Sequence, residues 1–118
     1  MDKLQKYQQI IKEVLTNYNS MGLTDPNHIE RREMRLLFDD EHARYQLLRS
    51  SWRGIKRFFH VIFHFEIIDE KIWVQHCATD YDIVEDLENK GVPKEDIVLA
   101  FLAPEVWKHS GYAAPAYP

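Results

Sequence analysis

Lys56-Arg57-Phe58-Phe59-His60-Val61-Ile62-Phe63-His64-Phe65-Glu66-Ile67-Ile68-Asp69-Glu70-Lys71-Ile72-Trp73-Val74-Gln75-His76 is the stretch on which the fold turns. From Phe59 to Ile67 every odd position is apolar, whereas the even positions mix Phe58, His60, Ile62, His64, Glu66 and Ile68. A period of two in aromatic and β-branched residues predicts a strand whose odd face is buried. Asp69-Glu70-Lys71 interrupts the run, and Ile72 to His76 alternates again. Two such runs with a short polar break predict a hairpin.

Upstream, Leu4, Tyr7, Ile11, Val14, Leu15 and Tyr18 recur in steps of three and four. That spacing predicts a helix over Leu4–Tyr18, capped by Asp2 and ending in Asn19-Ser20-Met21-Gly22. Leu23 to His28 reads as a linker around Asp25-Pro26-Asn27. A first strand is expected from Ile29 to Phe38, with Met34, Leu36 and Phe38 on one face. Its polar first half suits an edge strand. Asp39 to His42 is a turn, and a second strand follows over Tyr45–Trp52, ending at Gly54. Downstream, Thr79 with Asp82 three residues on has the capping-box pattern. It opens a helix with Ile83, Val84 and Leu87 buried and Gly91 as its stop. Pro93 to Asp96 starts another helical turn, and Ile97 to Leu102 is read as a turn and an extended segment. Residues 103–118, with Pro104, Pro115 and Pro118, read as an irregular covering segment. The expected fold is α+β over residues 1–118 as one domain. It has an N-terminal helix, a four-stranded antiparallel sheet, a second helix and a short C-terminal appendage.

Composition narrows the function. Hydrophobic residues make up 45% and charged residues 29% of 118 residues, a globular balance with enough chain for one core. A net charge of −4 argues against a wholesale nucleic-acid binder but leaves room for a local basic patch. The single cysteine, Cys77, cannot form an intramolecular disulfide and fits a reducing compartment. The amino-terminal stretch is polar, and the apolar runs are far shorter than a membrane span. A cytoplasmic location without membrane insertion is expected.

No catalytic motif emerges. His60, His64 and Glu66 are expected on one strand face, with His76 on the next strand, so a metal site is one reading. In a strand, His60 and His64 stand about 13 Å apart, too far to share an ion, which favours a partly solvated polar face. The acidic residues fall in turns and at a helix start, where they have structural reasons to be. Cys77 and His76 are adjacent in a strand and point to opposite faces, so they make no dyad. The four glycines are scattered and form no phosphate loop. Arg31, Arg35, Arg49, Arg53 and Arg57 have more to offer, because strand one and the turn before strand three could bring them into one positive patch. A solvated strand end is the commoner explanation for such charges. Trp52, Trp73, Tyr45 and Phe58 are read on strand faces that the two helices cannot fully cover, and His64 is a further candidate contact. That suggests self-association or a partner, unless the linker and the C-terminal segment shield them.

The order of motifs resembles one family. Lys3-Leu4-Gln5-Lys6-Tyr7-Gln8-Gln9-Ile10-Ile11 is similar to the opening helix of XisI proteins. So are Tyr45-Gln46-Leu47-Leu48 with Trp52, and Lys71-Ile72-Trp73-Val74-Gln75-His76. Thr79-Asp80 with Asp82-Ile83, then Gly91 through Phe101 and Pro104, continue the resemblance over nearly the whole chain. The departure follows Pro104, where the family tends to carry a second proline and a basic residue and this chain has Glu105-Val106-Trp107-Lys108.

The resemblance implies a controlling factor for excision of the fdxN DNA element in heterocyst-forming cyanobacteria, an accessory to a site-specific recombinase. It implies a XisH-like companion as partner and supplies no catalytic residue, metal or cofactor. A homo-oligomer is also expected. Direct DNA binding through the basic patch is the alternative, and a small metal-binding enzyme using His64 and Glu66 the more distant one.

Overall fold

The computed structural model describes residues 2–21 and 30–117, and the side chains of Glu30 and Arg31 are outside that description. The expected linker Leu23–His28 and the start of strand one at Ile29 lie outside the described residues.

Helix α1, Lys3–Ser20, begins where the Asp2 carboxylate accepts from the Gln5 amide at 2.8 Å, so Asp2 is the N-cap the sequence indicates. Its buried stripe is Tyr7, Ile10, Ile11, Val14, Leu15 and Tyr18. The strands are β1 Glu30–Asp39, β2 Arg44–Arg53, β3 Lys56–Ile68, β4 Lys71–Cys77 and β5 Ile97–Val98. They lie side by side in chain order, antiparallel except for β5, which runs parallel to β4. The sheet is therefore five-stranded and mixed, where the sequence predicted four antiparallel strands. A two-residue strand has no period to read, and its partner is chosen by the fold.

Helix α2, Ile83–Asn89, is capped by Asp82, which accepts from the Glu85 amide at 3.1 Å. Thr79 is not the cap: its hydroxyl accepts from the Tyr81 amide within the approach to the helix. Gly91, at φ +100°, is the stop the sequence indicates. Its amide bonds the Glu88 carbonyl and the Val92 amide bonds the Leu87 carbonyl, the pairing that closes a helix through a left-handed residue. A 3-10 turn at Lys94–Asp96 leads into β5.

One face of the sheet packs on α1 and α2 through Tyr45, Leu47, Phe63, Phe65, Ile72 and Val74. Tyr18 meets the Phe63 ring edge-on at 4.9 Å. Among the described residues, the opposite face is covered over β4 and β5, by the C-terminal segment. There the 3-10 helix Pro104–His109 brings Trp107 edge-on to Trp73 at 5.4 Å, and the Ala113 amide bonds the Ile97 carbonyl at 2.9 Å. The covering role of the tail agrees with the sequence reading, and its departure from the family pattern carries the residue that does the covering. No helix among the described residues is long and apolar enough to cross a membrane.

Two hairpin turns shape the sheet. Gly54-Ile55 joins β2 to β3, with Gly54 at φ +64° in the first central position, where a two-residue hairpin loop calls for glycine. Asp69-Glu70 joins β3 to β4 with both residues at positive φ, 51° and 62°, although neither is glycine.

Candidate interaction surface

Register decides which side chains share the uncovered face. β2 pairs with β3 as Leu47 with Phe63 and then Leu48 with Val61, so Ile62 is an extra residue in β3. A bulge of this kind reverses the alternation beyond it. Phe63 and Phe65 therefore face the helices, as the odd-face reading requires, but Phe59 and Val61 turn to the other side. Phe59 is 57% exposed, and Ile62 is buried in the core instead.

The same bulge separates the histidines. His60 lies opposite Arg49 on the helix side and its Nε2 is 3.1 Å from the Arg49 guanidinium. His64 lies on the uncovered side, its Nδ1 2.9 Å from the Gln46 amide and its Nε2 2.9 Å from a Glu66 carboxylate oxygen. His60, His64 and Glu66 thus do not share a face. His76 stands opposite His64 on β4. No set of three His, Cys, Asp or Glu residues among the described ones could hold a metal ion. Gln46, Val61, His64 and His76 line an open depression of about 430 Å³.

The basic residues divide likewise. Arg35 lies opposite Leu48 and Arg57 opposite Trp52, on the uncovered side. Arg49 lies opposite Met34, which packs on the core, so Arg49 and Arg53 belong to the helix side. The single patch expected from Arg31, Arg35, Arg49, Arg53 and Arg57 is two sets of cations on opposite faces, because strand alternation outranks closeness in sequence. The Arg31 backbone pairs with Trp52, and its side chain is outside the described residues. Trp73 is corrected too: it is 4% exposed beneath Trp107 and offers no contact surface. Trp52 stays at the surface, with the Arg57 guanidinium 5.0 Å from its ring centre.

Among the turn and helix-start acids, Asp39, Asp40 and Asp82 have structural partners. Asp39 accepts from the His42 amide and ring, and these hydrogen bonds hold its carboxyl below the usual range. Asp40 accepts from Lys12 at 2.6 Å and from the Tyr45 hydroxyl at 2.7 Å, which lowers it likewise. Cys77 faces the core and donates to the Thr79 carbonyl, while His76 points the other way. What remains at the surface is the apolar and polar outer face of β1–β3, including Leu37, Trp52 and Phe59.

A sequence model of XisI proteins matches residues 1–114. The chain belongs to the XisI family. Two solved XisI-type structures share its architecture. A XisI-like protein from Anabaena variabilis ATCC 29413 is 38% identical, with a TM-score of 0.85 over 95% of this chain and 99% of that one. The fdxN element excision controlling factor XisI from the same strain is 30% identical, with a TM-score of 0.81 over 97% and 100%. No curated protein matches the chain. The family that the motif order resembled is thus the family of the chain. Sequence reasoning missed Leu37 and Phe59 as surface residues. Leu37 is the clearer loss, since the strict alternation of Leu36 and Phe38 with it places it on the outer face.

Proposed function

We propose that this XisI-family chain is a non-enzymatic accessory factor controlling excision of an fdxN-type DNA element, acting through contact with a XisH-like companion. The observation that carries this reading is the whole-length likeness to the Anabaena excision controlling factor, 30% identical over 97% of this chain. The surface supports a contact role. An apolar side chain on an open strand face loses water-exposed area only when something covers it, and Leu37 at the β1–β2 end is 51% exposed. Beside it, the depression between Gln46, Val61, His64 and His76 supplies polar groups that could fix the orientation of a partner. Asp39, Asp40 and Asp82 are held in structural hydrogen bonds, which suits a factor that leaves strand exchange to a recombinase.

A reporter carrying the element, its recombinase and the companion tests the reading. The yield of excised junction, with and without this chain, is expected to differ by about tenfold or more, the effect of roughly 1.4 kcal/mol on an assembly step. Equal yields would reject the controlling role.

A further inference from the structure

The ribbon formed by β2 and β3 reaches past the helices. β3 has 13 residues and α1 has 18, so the strand runs about 43 Å against about 27 Å for the helix. Its free end, Trp52-Arg53-Gly54-Ile55-Lys56-Arg57-Phe58-Phe59, holds three cations and no acid in a chain of net charge −4. Ile55 at the turn is 99% exposed, an apolar side chain that contributes nothing to the core.

The cations occupy both faces of this ribbon. On one, Arg53 and Lys56 stand opposite each other and both lie over the Phe58 ring, 5.5 and 5.2 Å from its centre. On the other, Arg57 lies over Trp52 and Phe59, 5.0 and 5.8 Å from their centres. Stacking on aromatic rings holds these side chains in place. At the root of the ribbon, Glu33, Ser50, Trp52 and Arg57 border, with Arg32, a depression of about 230 Å³. The Ser50 hydroxyl there is buried and has no hydrogen-bond partner, while Glu33 is engaged by Arg35 at 2.9 Å.

We propose that this tip enters a groove of duplex DNA, with Lys56 meeting phosphates on one wall, Arg57 meeting those on the other, and Ile55 leading. A two-stranded ribbon fits the major groove, about 12 Å wide, and a groove is walled by anions on both sides. A flat acidic protein surface would meet only one of the two charged faces. An exposed aliphatic side chain at the leading point is suited to pressing on base edges, as apolar wedges do in architectural proteins. The tip lies at the opposite end of the ribbon from Leu37 and Gln46, so DNA and companion contacts are separable.

The test is fluorescence anisotropy of the whole protein with a labelled mixed-sequence duplex of roughly 25 base pairs, from about 50 mM salt upwards. Binding is expected to weaken with salt with a logarithmic slope of about −2, one unit each for Lys56 and Arg57. Lys56→Glu with Arg57→Glu is expected to weaken it by about tenfold or more and to flatten the slope by about two. Ile55→Ser should weaken binding a few-fold and leave the slope unchanged, since no charge is lost. Lys90→Glu with Lys108→Glu, away from the tip, should leave both unchanged. Thermal melts and companion co-purification of the tip variants should match the parent protein. No duplex binding at low salt, or binding indifferent to the tip variants, would overturn the proposal. So would polyglutamate of equal charge binding as tightly as the duplex, which would mark the tip as a dock for an acidic polypeptide.

Discussion

At the scale of single residues, Asp96 is the most consequential charge in the fold. It is 6% exposed, just ahead of β5, and accepts hydrogen bonds from the Tyr7 hydroxyl and from Lys3 at 2.8 Å. Burial alone pushes its carboxyl up, but hydrogen bonds from Lys3 and then Tyr7 outweigh burial and leave it below the usual range. The same contact raises the Tyr7 phenol, through burial first and the hydrogen bond second. A carboxyl lowered on folding stabilises the protein above its unfolded value of about 4, and that contribution is lost as pH falls through the folded value. Asp96→Asn should therefore cost about 1–3 kcal/mol at pH 7, and the gap to the parent protein should narrow below about pH 4. Urea unfolding at both pH values checks this, and a gap that does not change with pH would contradict it. Nothing in the sequence marks Asp96 as buried. Its importance comes from a contact with Tyr7 at the other end of the chain.

At the scale of elements, the β3–β4 hairpin shows what patterns can and cannot say. The alternation from Phe63 through Ile67, the break at Asp69-Glu70 and the return at Ile72 give both strands and their turn. The same alternation mistakes Phe59 and Val61 for core residues, because the extra residue at Ile62 has no glycine or proline to announce it. Trp73 misleads for another reason: whether a strand face is open depends on a tail about thirty residues downstream, and period two is silent on that. Helix α1 was largely legible because its stripe and its cap are local, although Leu4, read into the stripe, is exposed and the buried Ile10 was not read. The turn itself carries a testable cost. Glu70 sits at φ +62°, a region disfavoured by about 1 kcal/mol or more for a residue with a Cβ. Glu70→Gly should raise stability by about 1 kcal/mol and the melting temperature by a few degrees. A lower melting temperature would show that the glutamate side chain contributes more than its backbone loses.

At the scale of the whole molecule, the sheet is a plate with two unequal coverings. Two helices cover the inner face, and Trp107 with its short 3-10 helix covers β4 and β5 on the outer one. Among the described residues nothing covers the outer face of β1–β3, where Leu37 and Phe59 are exposed. The sequence showed that one helical layer leaves a face open. It did not show which half of that face the tail would close. The family membership rests on the match over residues 1–114, which the resemblance in motif order anticipated. The central claim is that this open half-face binds the companion. Co-purification of the two proteins, parent against Leu37→Glu with Gln46→Lys, tests it most directly. Leu37 and Gln46 are cross-strand partners, so the new charges can pair and the sheet is kept. The parent protein should elute with the companion as one complex at micromolar concentration, and the folded variant should elute apart from it. Parent and companion eluting separately, or a variant that binds as well as the parent, would contradict the claim.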